Sequence, residues 1–194
     1  LVFDYGEVIC HRTEALPDIA ASLGVAAEPF AAAYWAARDD YDRGSTDLDY
    51  WRSIGSALGV GIDEDRATEL TKADLDGWLD TDPAMLALLA ELDAAGVPMA
   101  LLSNAPATHG RAFERQDWAR HFRHVVISGD HRCAKPDPAI WRILTERLGG
   151  APGDCFFLDD RQVNVDGARA AGLRAERFTG AAAARRALVE LGVL

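Results

Sequence analysis

Four polar stations follow four short apolar runs. Leu1-Val-Phe3 runs into Asp4 and turns at Gly6, and Val97 to Leu102 runs into Ser103-Asn104. Val125-Val-Ile127 is followed a few residues later by Lys135, and Cys155-Phe-Phe-Leu158 ends in Asp159-Asp160. As a set they make chemical sense. A carboxylate can take a phosphoryl group as an aspartyl-phosphate. A hydroxyl and an ammonium can hold the phosphoryl oxygens while charge moves. Paired carboxylates beside a nucleophile call for a cation, and oxygen ligands near phosphate suit Mg²⁺, which would screen the nucleophile from an anionic substrate. Each residue alone has a plainer reading: Asp159-Asp160 and Ser103-Asn104 as helix caps, Lys135-Pro136 as a solvated turn. Those readings account for the residues singly and leave their common position after apolar runs unexplained.

The elements that must hold these residues alternate. From Pro83 onward the pattern predicts a helix over 84–95, a strand over 97–102, a helix over 108–115, a strand at 125–127, a helix over 138–148, a strand over 155–158, a helix over 163–171, a strand near 174–178 and a closing helix over 181–191. Strands alternating with helices predict a parallel sheet covered on both faces, and Leu1 to Phe3 has the same buried-strand character. In such a sheet the carboxyl ends of the strands share one rim, which would gather Asp4, Ser103, Lys135 and Asp159-Asp160. Between the first strand and the rest, helical periodicity runs through 16–23, 28–42, 47–58 and 66–79, a small bundle. The expected fold is therefore an α/β, Rossmann-like parallel-sheet core (1–12 and 81–194) with an inserted four-helix cap (13–80). Trp35, Trp51 and Trp78 sit among apolar residues at helical spacing and read as bundle core. Tyr41-Asp-Arg-Gly44 breaks that rhythm, and Arg43 stands there either as an oxyanion contact or as a solvated turn. His109, His121, His124 and His131 lack metal-ligand spacing and read as surface or satisfied structural residues.

Composition bounds the function. Of 194 residues 49% are hydrophobic, which provides a core, and the net charge of −11 argues against a nucleic-acid partner. No stretch approaches the roughly 18 consecutive apolar residues of a membrane span. Cys10, Cys133 and Cys155 are scattered without a C-x-x-C pair, which predicts reduced thiols and a cytoplasmic protein. The chain opens on a non-Met residue inside a strand-like run, so some N-terminal residues are expected to be missing. The expected partner is a small phosphorylated substrate, and the bundle's apolar surface leaves monomer and homodimer both open.

The order of these segments resembles the haloacid dehalogenase superfamily, in the branch (subfamily IA, C1 cap) whose helical bundle is inserted after the first motif. Phe3-Asp-Tyr-Gly-Glu-Val-Ile9 resembles the first motif, with Asp4 at the nucleophile. Leu101-Leu-Ser-Asn104 resembles the second, with Ser103 at the phosphate-binding hydroxyl. Ala134-Lys-Pro-Asp-Pro-Ala-Ile-Trp141 resembles the third through Lys135. Phe156-Phe-Leu-Asp-Asp160, with Asn164 and Gly167 to Gly172, resembles the fourth. The resemblance implies Asp4, Ser103 and Lys135 as catalytic groups, Ser103, Asn104, Lys135 and Arg43 as substrate contacts, and Mg²⁺ held by Asp4, the main-chain oxygen of Gly6 and the Asp159-Asp160 pair. Within that pair Asp160 matches the direct ligand and Asp159 a neighbour that orients water or Lys135.

One position departs from the pattern. Phosphatases of this superfamily mostly carry a second Asp two residues after the nucleophile as acid and base, and here Gly6 stands there. A subset with this D-x-G pattern, resembling bacterial α-D-glucose-1-phosphate phosphatases, still hydrolyses sugar phosphates. Glu7 and His11 are the nearest titratable substitutes. The family's dehalogenases carry Ser and Asn where this chain has its acidic pair, which favours phosphomonoester hydrolysis over dehalogenation. The rival expectation is a catalytically weak member that binds a phosphorylated ligand or a partner.

Overall fold

The computed structural model describes residues 1–194. In chain order it holds β1 (Val2–Phe3), α1 (Leu16–Ser22), α2 (Ala27–Asp42), α3 (Asp47–Leu58), α4 (Glu64–Trp78), α5 (Pro83–Ala94), β2 (Ala100–Ser103), α6 (Ala107–Phe113), β3 (His124–Ile127), α7 (Pro138–Leu148), β4 (Phe156–Asp159), α8 (Gln162–Ala170), β5 (Arg174–Arg177) and α9 (Ala181–Glu190). The strands form one parallel sheet in the order β3-β2-β1-β4-β5. The first strand of the chain thus lies at its centre.

Side-chain alternation along the strands sorts the core into two layers. Phe3, Leu101, Phe156 and Leu158 pack on one face with α5 and α9, while Val2, Ala100, Leu102, Val126 and Phe157 pack on the other with α7 and α8. Strands apolar on both faces are what a parallel sheet buried between helices requires. The inserted helices α1 to α4 enclose a third cluster of their own, built on Phe30, Tyr34, Tyr41, Tyr50, Trp51, Ile54 and Leu70. This is the α/β core with an inserted helical cap.

Differences from the expected boundaries have local causes. β2 begins at Ala100, three residues later than expected, because Pro98 has no N–H for a ladder and its carbonyl instead accepts from the amino group of Leu1 at 2.8 Å. α4 begins at Glu64, ahead of the expected Arg66, because the Asp63 carboxylate accepts from the Arg66 N–H at 2.8 Å and caps the first turn. Tyr41 and Asp42 belong to the last turn of α2, with Arg43 at its C-cap. Gly44 then brings the cap against the core: its φ is +98°, and a Cβ there would lie 2.7 Å from the carbonyl oxygen of Gly129. The three cysteines are free and buried. No helix is long and apolar enough to cross a membrane.

Candidate active site

β1, β2 and β4 end side by side, and their terminal residues meet. Asp4 follows β1, with its N–H donating to Leu158 O at 2.9 Å, Ser103 closes β2, and Asp159 closes β4. Lys135 arrives on the loop between β3 and α7 across a cis peptide to Pro136. Asn104 fixes that loop: its Oδ1 accepts from the Lys135 N–H at 2.8 Å and its Nδ2 donates to Lys135 O at 2.9 Å. Gly167 of α8 backs the loop, since its missing side chain makes room for Pro136.

The Lys135 ammonium is the hub. Its Nζ lies 2.6 Å from Asp4 Oδ1 and 2.7 Å from Asp159 Oδ2, and donates to Leu102 O at 3.0 Å. Burial disfavours the charged amine, but the carboxylates of Asp159 and Asp4 outweigh it and hold the lysine above its ordinary value. Asp4 also accepts from the Tyr5 N–H at 2.7 Å on the same Oδ1. Burial raises the Asp4 carboxyl well above the usual range, the Lys135 charge opposes that shift, and Asp159 adds to it.

Asp159 is wholly buried and fully engaged. Oδ1 accepts from the Arg161 N–H at 2.8 Å and from Asn164 Nδ2 at 3.0 Å, and Oδ2 accepts from Lys135 and, at 3.1 Å, from the same Asn164 nitrogen. Two bonds per oxygen leave little capacity for another partner. Asp160 is half-buried and opens on the cleft, its carboxyl raised by desolvation and by the nearby Asp159 and Glu7 charges.

Carboxylate oxygens of Asp4, Asp159 and Asp160 lie within 4.8 Å of one another. Asn164 spends its Nδ2 on Asp159, which leaves its Oδ1 buried without a donor. Two carboxyls raised by burial and like charge, an orphan acceptor and clustered oxygen donors that one ammonium does not neutralise fit a hard divalent cation such as Mg²⁺.

The cleft above these groups has a volume of about 660 Å³ and is walled by the cap. Ser103, Asn104, Lys135 and Arg43, all expected from the sequence, line it together. Arg43 is not free, however: its guanidinium bonds Asp137 and, through Nε at 2.9 Å, Asp39. Asn104 also spends its amide on Lys135, as above. Gly6 lines the cleft, and a Cβ added there would meet only Trp78 Cζ3 at 3.8 Å. Glu7 lines it as well, at φ +55°, whereas His11 does not.

Two expectations need correction. Trp35 and Trp78 line the cleft and not the bundle core that their helical spacing predicts; Trp51 does lie in that core. His109 is neither on the surface nor fully satisfied: it is wholly buried, its Nε2 is 3.1 Å from Asp74 Oδ2, and its Nδ1 has no partner. Asp42, from the Tyr41-Asp-Arg-Gly44 stretch, joins it in a buried polar network under the cap wall, together with Arg38, Asp74 and Tyr34, which no sequence motif marks. Arg38 Nε donates to Asp42 Oδ1 at 2.8 Å, Arg38 Nη1 to the Tyr34 hydroxyl at 2.7 Å, and that hydroxyl to Asp74 Oδ1 at 2.8 Å. The available signal was the spacing 34, 38, 42 on one face of α2.

With this geometry in place, residues 1–172 match the family model of haloacid dehalogenase-like hydrolases. Over 101 residues the chain is 32% identical to Protein CbbY of Cupriavidus necator, over 95 residues 38% identical to the phosphoserine phosphatase of Thermus thermophilus, and over 91 residues 32% identical to the phosphoglycolate phosphatase of Escherichia coli. Those stretches cover 46 to 50% of this chain and only 36 to 40% of the relatives' own lengths. Among solved structures, a HAD family enzyme of Bacteroides thetaiotaomicron superposes with TM-score 0.74 at 21% identity over 92% of each chain. The same enzyme in complex with magnesium and inorganic phosphate gives 0.71 at 20% identity over 92% of each chain. An L-2-haloacid dehalogenase of Xanthobacter autotrophicus gives 0.74 at 20% identity over all of this chain and 83% of that one. At such identities the superpositions speak for the fold.

Proposed function

The chain belongs to the haloacid dehalogenase-like hydrolases, and from that premise we propose that it is a Mg²⁺-dependent phosphomonoesterase acting on a small phosphorylated metabolite such as a sugar phosphate. The observation that carries this reading is the Lys135 ammonium bridging Asp4 and Asp159 at 2.6 and 2.7 Å beside an unneutralised Asp160. One cation among three carboxylates leaves room for a second cation and an anionic substrate. The phosphoserine and phosphoglycolate phosphatases among its relatives point to the same reaction class, and the D-x-G pattern at Asp4 to Gly6 points to sugar phosphates.

In this reading Asp4 attacks phosphorus, the alcohol leaves, and water then hydrolyses the aspartyl-phosphate. Lys135 and Ser103 hold the phosphoryl oxygens as charge builds on them. Asp159 keeps Lys135 in place, and Asn104 fixes the Lys135 backbone. The Asp4 and Asp160 carboxylates and the Gly6 carbonyl would hold Mg²⁺, which when bound supplies Lewis-acid stabilisation of the phosphoryl charge. With Gly6 unable to move a proton, Glu7 is the titratable side chain on the same loop that lines the cleft. The cap, taken as residues 13–80, excludes bulk water and supplies specificity.

The test is phosphate release from a panel of sugar, nucleotide and aryl phosphates, with Mg²⁺ and with chelator, for the wild type beside Asp4→Asn. Metal-dependent release that disappears in the variant supports the reading. Gly6 favours one alternative, a weak catalyst that binds a phosphorylated ligand or partner, and release no greater than that of the variant on every substrate would select it. Full activity in Glu7→Gln would remove Glu7 from the proton transfer.

A further inference from the structure

Three arginines line the cleft away from its phosphoryl end, Arg38 and Arg43 of the cap and Arg12 at the end of the first core segment, and all have carboxylates beside them. Arg38 is buried; besides its bond to Asp42, its Nη1 lies 3.7 Å from Asp74 Oδ2. Asp74 is wholly enclosed, so no ligand can displace it. Arg43 is held between Asp137 and Asp39. Arg12 lies 5.2 Å above the Trp35 ring, with Glu7 Oε1 at 3.9 Å. Three guanidinium groups therefore face the five carboxylates of Asp42, Asp74, Asp137, Asp39 and Glu7. The wall that would meet the alcohol part of a substrate has no uncommitted positive charge. Arg161, which makes no ion pair, sits on the core rim next to Asp160, at the phosphoryl end.

From this pairing we infer that the cap selects its substrate by refusing a second anion: the alcohol part is neutral and hydroxyl-rich, and phosphoesters that carry a carboxylate are rejected. The inference rests on the phosphatase reading above. A carboxylate that took the remaining Arg38 N–H groups would bring a further negative charge beside Asp42 and Asp74, on a wall where carboxylates already outnumber guanidinium groups, and burial makes that crowding costly. A sugar hydroxyl adds no such charge. It can donate to an oxygen of Asp42, Asp39 or Glu7 and accept from a guanidinium N–H while the charge balance stays as it is. Trp35, 37% exposed on the rim, offers an apolar ring face for the carbon skeleton. Discrimination by unfavourable charge against the wrong partner is a common source of specificity. Asp42 and Asp39 are then specificity-determining residues, because they neutralise arginines that would otherwise attract a carboxylate.

The experiment compares kcat/KM for a hexose phosphate, phosphoglycolate and 4-nitrophenyl phosphate, with Mg²⁺, in the wild type, Asp42→Asn and Asp39→Asn. The wild type is expected to favour the hexose phosphate over phosphoglycolate by at least about 100-fold. Asp42→Asn should narrow that ratio by about tenfold, mainly by lowering KM for phosphoglycolate. Should Asp42→Asn fail to fold, the exposed Asp39→Asn makes the same test at Arg43. Wild-type turnover of phosphoglycolate equal to or above that of the hexose phosphate overturns the inference, as does a ratio unmoved in every folded variant. Failure to hydrolyse even 4-nitrophenyl phosphate is a different result: it overturns the phosphatase reading, and the inference with it.

Discussion

Two buried clusters in this molecule share a charge formula, yet one carboxylate in each is held in the opposite way. On the core rim Lys135 sits between Asp4 and Asp159; under the cap Arg38 sits between Asp42 and Asp74. Both are one cation with two carboxylates. Asp74, despite burial that opposes its charge, has a carboxyl held below its ordinary value by the His109 hydrogen bond, the Arg38 charge and the Tyr34 hydroxyl. Asp4, just as buried, is pushed well above it. The difference lies in the donors. Asp74 receives them on both oxygens, whereas both protein donors to Asp4 fall on Oδ1, with Asp159 and Asp160 adding negative charge nearby. A buried carboxylate bonded on both oxygens, like Asp74, is structure. One with an oxygen left open, like Asp4, can take a ligand and do chemistry.

The sharpest way to break this comparison is to remove one carboxylate from each side. Asp4→Asn should lower phosphate release by at least about 10³-fold. It should leave Tm unchanged or slightly raised, because it relieves like-charge crowding while Lys135 keeps Asp159 and the Leu102 carbonyl. Asp74→Ala should do the reverse. Leaving the Tyr34 hydroxyl and the His109 ring buried without their acceptor is expected to cost about 1–3 kcal/mol of stability for each, measured by denaturant or thermal unfolding. A large stability loss in Asp4→Asn, or none in Asp74→Ala, would erase the distinction between the clusters.

Acid sharpens the same contrast. Because the folded state lowers the Asp74 carboxyl, its contribution is fully present above the unfolded carboxylate value of about 4 and is lost as pH falls through the lower folded value. The stability gap between wild type and Asp74→Ala should therefore be constant near neutrality and shrink in strong acid. A gap that stays flat down to pH about 2 would show that Asp74 does not act through its charge.

The two clusters also differed in how legible they were in the sequence. Asp4, Ser103 and Asp159-Asp160 were found because each marks a local event, an apolar run stopping at a polar residue, and a parallel sheet then brings the run ends together. Lys135 follows its strand less closely, a few residues after Ile127, so the run marks it more weakly and the Ala134-Lys-Pro motif adds to the signal. The cap cluster has no such marker. Arg38, Asp74 and His109 come from α2, α4 and α6, and only tertiary packing makes them neighbours. On a helix, an arginine or aspartate in a charged stretch reads as a solvated face, and a histidine without metal spacing reads as incidental. Trp35 and Trp78 were misplaced for a related reason: helical spacing shows that a residue faces inward, and a cleft between cap and core lies inward too.

The smallest expected effect tests how the Lys135 side of the comparison is held. Gly167 lies within α8, where Ala is favoured over Gly by about 1 kcal/mol, so local propensity alone predicts stabilisation in Gly167→Ala. Packing predicts the opposite. The new Cβ would lie 2.7 Å from Pro136 Cβ and 3.2 Å from Pro136 O, and the backbone of the residue after Lys135 cannot swing aside as a flexible side-chain end would. Overpacking of this kind costs about 1–3 kcal/mol, enough to outweigh the helix preference. Because the displaced segment carries Lys135, kcat should fall more than KM rises, while the cap cluster keeps its acid sensitivity. A more stable Gly167→Ala with unchanged kcat would mean that the Lys135 loop is anchored by Asn104 and Asp159 alone.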